Sequence, residues 1–170
     1  MLSRDRIIST TLLKIGEVNI YNDNKSEVYK VANALLENVI DNIATRNDFL
    51  FNAVTAYLTE YGRIKETGEI IYNLPSDFLN KLSFDGGDGR IENEFIYSTS
   101  DKLQMRYCRK IDFSEIPKYM FNYIVYALAT EMAETYTQYT DRLQLLNSRL
   151  EETTREVYQI EFSPKVRKFN

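Results

Sequence analysis

Ile7, Ile8, Leu12 and Ile15 recur at helical spacing and predict a first helix over Ser3–Ile15, with Gly16 where a helix end favours positive φ. A polar turn, Asn22-Asp23-Asn24, leads into the most regular stripe of the chain. Val28, Val31, Leu35, Val39 and Ile43 step by three or four, and Ala32 and Leu36 widen the face. About twenty residues at 1.5 Å each make a helix of roughly 30 Å. The short polar connection predicts that the two helices lie antiparallel.

From Phe49 the period drops to two. Phe51, Ala53, Thr55 and Tyr57 alternate with Asn52, Val54, Ala56 and Leu58, which predicts a strand. Ile70–Tyr72, Lys81–Phe84, Arg90–Tyr97 and Leu103–Cys108 are further short strand candidates. Tyr61-Gly62, Thr67-Gly68, Leu74-Pro75-Ser76-Asp77, Asp85–Gly89 and Ser98–Asp101 carry turn chemistry between them.

Helical spacing returns after Asp112. Ser114 is the expected N-cap and Pro117 falls in the first turn, where its missing N–H costs little. Phe121, Val125, Leu128, Met132 and Tyr136 form one face, and a second row, Met120, Tyr123, Ile124 and Ala127, leaves the first half apolar nearly all round. Such a helix needs cover on more than one side, and in a small protein a neighbouring subunit is one source. A last helix restarts at Thr140-Asp141, with Leu143, Leu146, Leu150, Val157 and Ile160 inside and a charged outer face, and Ser163-Pro164 ends it. The order predicts an α+β, mainly α fold. A four-helix bundle (residues 1–48 and 112–161) would carry a small antiparallel β-domain (49–111) inserted between its second and third helices, with residues 162–170 as a C-terminal arm.

Composition narrows the chemistry. At 170 residues, 44% hydrophobic, with six Gly and three Pro, the chain has a core's worth of apolar side chains and few breakers. No apolar run approaches the ~18 residues of a membrane span, and no apolar signal core follows Met1-Leu2-Ser3-Arg4-Asp5-Arg6, so neither membrane insertion nor secretion by the usual route is expected. With no His, imidazole acid–base catalysis, His metal ligation and Ser-His-Asp triads are excluded. The single Cys108 makes no internal disulfide and no Cys-rich zinc site, and reads as a packed side chain. Net charge is −4, spread over all thirds of the chain, which disfavours a basic DNA-binding domain.

Several local patterns invite chemistry. Asp85-Gly86-Gly87-Asp88-Gly89 could wrap a hard cation, but it lacks the acid order and terminal Glu of an EF-hand, and glycines between strands suit a hairpin. Asp77, Glu92 and Glu94 are the acids that a carboxylate hydrolase would gather; a solvated strand face is the plainer reading. Arg106, Arg109 and Lys110 could touch phosphate, but Asp101, Asp112 and Glu115 flank them. Among thirteen tyrosines, Tyr119, Tyr123 and Tyr126 share one helix, and tyrosine suits both cores and subunit interfaces. Phe162, Ser163, Pro164, Lys165, Val166, Arg167, Lys168 and Phe169 are either a frayed end or a basic arm, with aromatic anchors, that orders on a partner.

Five segments taken in order resemble the head–tail adaptor proteins of short-tailed phages, of the tail tubular protein A type. They are Leu12-Leu13-Lys14-Ile15-Gly16-Glu17, Leu35-Leu36 before Asn47-Asp48-Phe49-Leu50-Phe51-Asn52-Ala53, Tyr72-Asn73-Leu74-Pro75-Ser76-Asp77-Phe78, Leu103-Gln104-Met105-Arg106-Tyr107, and Tyr126-Ala127-Leu128-Ala129-Thr130-Glu131-Met132-Ala133. Together they span roughly residues 7–160; Phe49 stands where many members carry Trp.

The resemblance implies a non-enzymatic virion protein without cofactor or metal, forming a ring, typically of twelve copies, beneath the portal protein at the head–tail junction. The ring would be made in the host cytoplasm and would extend the DNA channel as a platform for tail tube, nozzle or neighbouring ring proteins. Residues 162–169 would dock the portal, Asp85, Gly86, Gly87, Asp88, Gly89 and Arg90 would face the tail, and Tyr119, Tyr123 and Tyr126 would line the subunit interface. A wall built from copies of net charge −4 would let DNA pass without tight binding. Two alternatives from other classes are a small carboxylate-based hydrolase, acting on DNA or cell wall, and a soluble helical interaction module.

Overall fold

A computed structural model describes residues 2–16, 26–46, 49–136 and 140–163. The expected turn at 22–24 lies outside the described residues. The chain divides into two compact units, Met1–Ile43 with Asp112–Asn170, and Ala44–Ile111.

In the helical unit, α1 (Arg4–Ile15) starts at Ser3, whose Oγ accepts the Arg6 N–H at 3.4 Å, and stops at Gly16 with φ +92°, the left-handed conformation that glycine adopts without a Cβ penalty. α2 (Glu27–Arg46), α3 (Phe121–Tyr136) and α4 (Thr140–Glu161) complete the helices. The closest packing is of α1 on α3 and of α3 on α4, so α1 takes α3, and not α2, as its main neighbour. α2 is tied to α1 by the Arg4–Glu37 ion pair and by the Tyr29 hydroxyl donating to Asp5.

That placement accounts for the apolar girth of α3. Met120 and Ile124 of its second row are buried within the chain together with Val125, Leu128 and Met132, while Tyr123 and Ala127 of that row are half-buried. Helices on two sides of α3 supply much of the cover that the sequence left open to a neighbouring subunit. α3 also begins later than expected. Ile116, ahead of Pro117, is extended (φ −65°, ψ 125°), as a residue before proline prefers. The stretch from Phe113 to Met120 therefore forms two 3-10 turns, the first with the Asp112 N–H on Glu115 Oε2 at 2.9 Å, and Ser114 caps nothing.

The second unit overturns the expected fold class. It holds β1 (Ala53–Tyr57), β2 (Glu60–Arg63), β3 (Ile70–Asn73), β4 (Phe78–Asp85), β5 (Arg90–Glu92), β6 (Phe95–Ser98) and β7 (Gln104–Arg109). They form two antiparallel sheets, β1-β7-β4 and β2-β3-β6-β5. Ile70, Tyr72 and Ile96 of one sheet and Met105 and Tyr107 of the other share a core with Leu103, and Val54, Ala56, Phe78 and Phe84 pack on it. This is a substantial two-sheet unit with a core of its own and not a small insert in a mainly α bundle. Strand alternation gives the face a residue takes, but the sorting into two sheets depends on pairings as distant as β1 with β7.

Two elements explain the difference. β2 occupies the expected Tyr61-Gly62 turn, which is a register shift between Glu60 and Gly62. The expected strand Arg90–Tyr97 is a hairpin, β5 and β6, reversing at Asn93 with φ +55°, a conformation Asn tolerates better than most residues.

Candidate functional surfaces

Two surfaces gather the expected site residues, one on each unit. In the helical unit, Tyr119 precedes α3 and its hydroxyl donates to the carboxylate of Glu161, the buried last residue of α4. Tyr123 and Tyr126 are half-buried on α3, with the Lys14 ammonium 5.4 Å from the centre of the Tyr126 ring. Phe162 is 42% exposed, and its ring stacks on exposed Tyr158 with centroids 5.9 Å apart. Ser163 lines a shallow cleft of about 450 Å³ with Glu156, Gln159 and Ile160. Pro164, Lys165, Val166, Arg167, Lys168 and Phe169 lie outside the described residues.

In the sheet unit the loop from Asp85 to Gly89 is packed against the chain that follows β6. A Cβ on Gly86 (φ +88°) would meet the Lys102 carbonyl at 2.5 Å, and one on Gly87 would overlap the Ser100 hydroxyl. Asp85 accepts the Gly86 N–H at 3.0 Å, and the Asp88 carbonyl accepts the Ser98 hydroxyl at 2.6 Å. A close backbone carbonyl accounts for Gly86, and the Ser100 side chain accounts for Gly87. Arg90 donates to Glu69 and, at 2.6 Å, to Glu92, and its guanidinium lies 4.8 Å from the Tyr97 ring centre. That donation raises Arg90 above its ordinary range and holds the Glu69 carboxyl below it. Arg63 makes a similar fork with Glu60 at 2.8 Å and Asp101 at 3.0 Å, and its hydrogen bond holds the Glu60 carboxyl below the usual range.

The three acids that a hydrolase would need have separate duties. Asp77 accepts the Tyr107 hydroxyl at 2.9 Å, and burial followed by this carboxylate pushes the phenol up to about 12. Glu92 is paired with Arg90. Glu94, in the hairpin turn, lines an open cleft of about 430 Å³ with Asn73, Leu74, Pro75, Ser76, Phe78 and Phe95. Among the described residues no three acids or cysteines are grouped as a metal would require, and Cys108 is a buried thiol outside any disulfide. Arg109 spends one guanidinium contact on the Lys110 carbonyl at 3.3 Å; Arg106 is half-buried on β7.

Sequence reading missed the exposed aromatic pair at the junction of the two sheets. Tyr57 ends β1 at 75% exposure, and Tyr61 in β2 is 65% exposed, its ring centre 4.9 Å from that of Phe95. For Tyr57 the signal was its parity: it alternates with Val54 and Ala56, which face the core.

The fold defines a class: separate helical and two-sheet units, each showing aromatic side chains to solvent. No protein-family model matches the chain, and no curated protein matches it. Among the described residues no helix is long and apolar enough to cross a membrane.

Proposed function

We propose that the chain is a structural head–tail adaptor of a short-tailed phage, assembling as a ring, with twelve copies as the family's usual number, beneath a portal protein. In this reading it extends the DNA channel at the portal vertex of the virion after synthesis in the host cytoplasm, and works by assembly without catalysis. Residues 162–170 dock the portal, the loop from Asp85 to Arg90 meets tail or neighbouring ring proteins, and Tyr123 and Tyr126 supply subunit-facing positions. The ordered set of family-like segments supports this reading.

One observation carries it furthest. The stacked, exposed rings of Tyr158 and Phe162 stand at the end of α4, where a segment holding Lys165, Arg167 and Lys168 and no acid begins. An aromatic anchor beside a short cationic stretch is a composition suited to ordering on a partner's surface. Weak contacts between identical copies become effective once a template holds them together.

The experiment is native mass spectrometry with negative-stain imaging of the full chain, alone and with the portal protein of the same genome. Closed rings on the portal are expected, and deletion of residues 162–170 should abolish docking while leaving the helical circular-dichroism signal intact. A folded chain that stays monomeric and ignores the portal sinks the adaptor reading.

A further inference from the structure

The two sheets present four edges among the described residues: β1 and β4 on the first, β2 and β5 on the second. An edge strand carries unpaired N–H and C=O groups, and proteins guard such edges with charge, bulges or brevity. β4 carries Lys81 and Asp85, and its register shifts twice, after Phe78 and after Lys81. β2 carries Glu60 and Arg63 and shifts once. β5 has three residues, two of them Arg90 and Glu92. β1 has none of these devices: Ala53-Val54-Thr55-Ala56-Tyr57 is uncharged, free of proline and in unbroken register along β7.

The hydrogen-bond phase decides which groups of β1 face outward. The Arg109 N–H donates to the Asn52 carbonyl at 2.9 Å, and the Leu58 N–H donates to the Leu103 carbonyl at 3.0 Å. Antiparallel residues alternate between bonding their neighbour and turning away. Val54 and Ala56 therefore bond β7, while Thr55 and Tyr57 turn N–H and C=O to the open edge. Ala53 turns its carbonyl outward too; its N–H is taken by the Phe49 carbonyl at 3.2 Å. Thr55 and Tyr57 are both exposed.

We propose that two copies of this chain pair along this edge, β1 antiparallel to β1 about a two-fold axis at Thr55. The two Thr55 residues then exchange N–H···O bonds, and each Tyr57 N–H donates to the Ala53 carbonyl of the second copy. Threonine faces threonine, a favourable cross-strand pair, and the large Tyr57 ring stands opposite small Ala53, where it meets no like bulk. The occupant follows from charge. A strand paired with itself about its centre sets like against like, which an uncharged strand tolerates and which a chain of net charge −4 resists elsewhere. The partner edge must also be bare, and among the described edges β1 alone is. A two-fold contact closes on itself and does not propagate, so this pair differs from the head-to-tail contact of a ring and does not depend on it.

The test is sedimentation velocity of the full chain over a concentration series, without portal, beside Thr55→Pro, Thr55→Lys and Thr55→Glu. Proline at this position removes an N–H that points away from β7, so the β7 ladder is kept. The charged variants set like charges against each other across the axis. A wild-type dimer is expected, at least about tenfold weakened in each variant, which is about 1.4 kcal/mol or more. Mixing the Lys and Glu variants should restore the dimer, a readout that holds even where the proline variant misfolds. A wild-type chain monomeric throughout, or an association indifferent to the charged variants and their mixture, overturns the proposal. Ring formation on the portal is not read here, so either result leaves the adaptor reading to its own experiment.

Discussion

The hydroxyl of Tyr119 donates to the carboxylate of Glu161, joining the turn before α3 to the last residue of α4. Glu161 is buried, and a buried carboxylate is costly unless donors reach it. Tyr119→Phe should destabilise the helical unit by about 1–3 kcal/mol, and Glu161→Gln, which keeps an acceptor, should cost less. Thermal unfolding with hydrogen exchange checks this: amides over 157–162 should exchange faster in Tyr119→Phe. Unchanged exchange there would show that the end of α4 is held by other contacts.

Gly86 and Gly62 should respond unequally to alanine. At Gly86 a Cβ meets a backbone carbonyl at 2.5 Å and φ is +88°; at Gly62 nothing lies within 4 Å and φ is not positive. Gly86→Ala should cost on the order of 1–3 kcal/mol, whereas Gly62→Ala should stay within about 1 kcal/mol of wild type on either side. Urea unfolding of both variants decides it, and similar losses would mean that the loop relaxes around the added methyl.

The elements legible in sequence are those set by local chemistry. Ser3 and Gly16 bound α1 because a hydroxyl cap and a left-handed residue act over four positions. Ile70–Tyr72 read as a strand because a short β-branched and aromatic run stands between turn residues. β2 was hidden because Gly62 and two charges resemble a turn, and the β5–β6 reversal because one Asn in αL replaces the expected glycine. Sheet sorting was illegible for a different reason: β1 pairs across some fifty residues of sequence, and periodicity names a face without naming a neighbour. On the candidate surfaces, Tyr158 and Phe162 are one helical turn apart and could have been paired from sequence. The Tyr119–Glu161 contact joins separate helices and could not.

Arg142 of α4 binds the carbonyl of Lys14 through Nε at 3.2 Å and Nη2 at 3.0 Å, so a cation from another helix closes the end of α1. A cation there meets both an orphan carbonyl and the negative end of the helix dipole. Arg142→Ala should lower stability by about 1 kcal/mol, and Arg142→Lys, with no fork, should recover only part of it. Added salt should narrow the gap between wild type and the alanine variant. A gap that is indifferent to salt would assign the loss to packing of the arginine stem.

Alkaline titration should set Tyr107 and Tyr29 apart from an ordinary tyrosine. Burial and then the Asp77 carboxylate push its phenol from 10.0 to about 12, and burial with Asp5 does the same to Tyr29. The fold therefore favours the protonated phenol. The stabilisation is fully present below pH 10, where the unfolded chain also keeps the proton, and is lost as pH rises from about 10 through about 12. Each such tyrosine steepens the fall in that window by up to about 1.4 kcal/mol per pH unit. Tyr107→Phe should be about 1 kcal/mol less stable near neutrality and lose stability less steeply above pH 10, so the two curves approach and then cross within that window. Urea unfolding at a series of pH values, following the sheet unit by near-ultraviolet circular dichroism, measures both slopes. Parallel curves would mean that the Tyr107 phenol ionises alike in the folded and unfolded chain, and that its contact with Asp77 contributes nothing to alkaline stability.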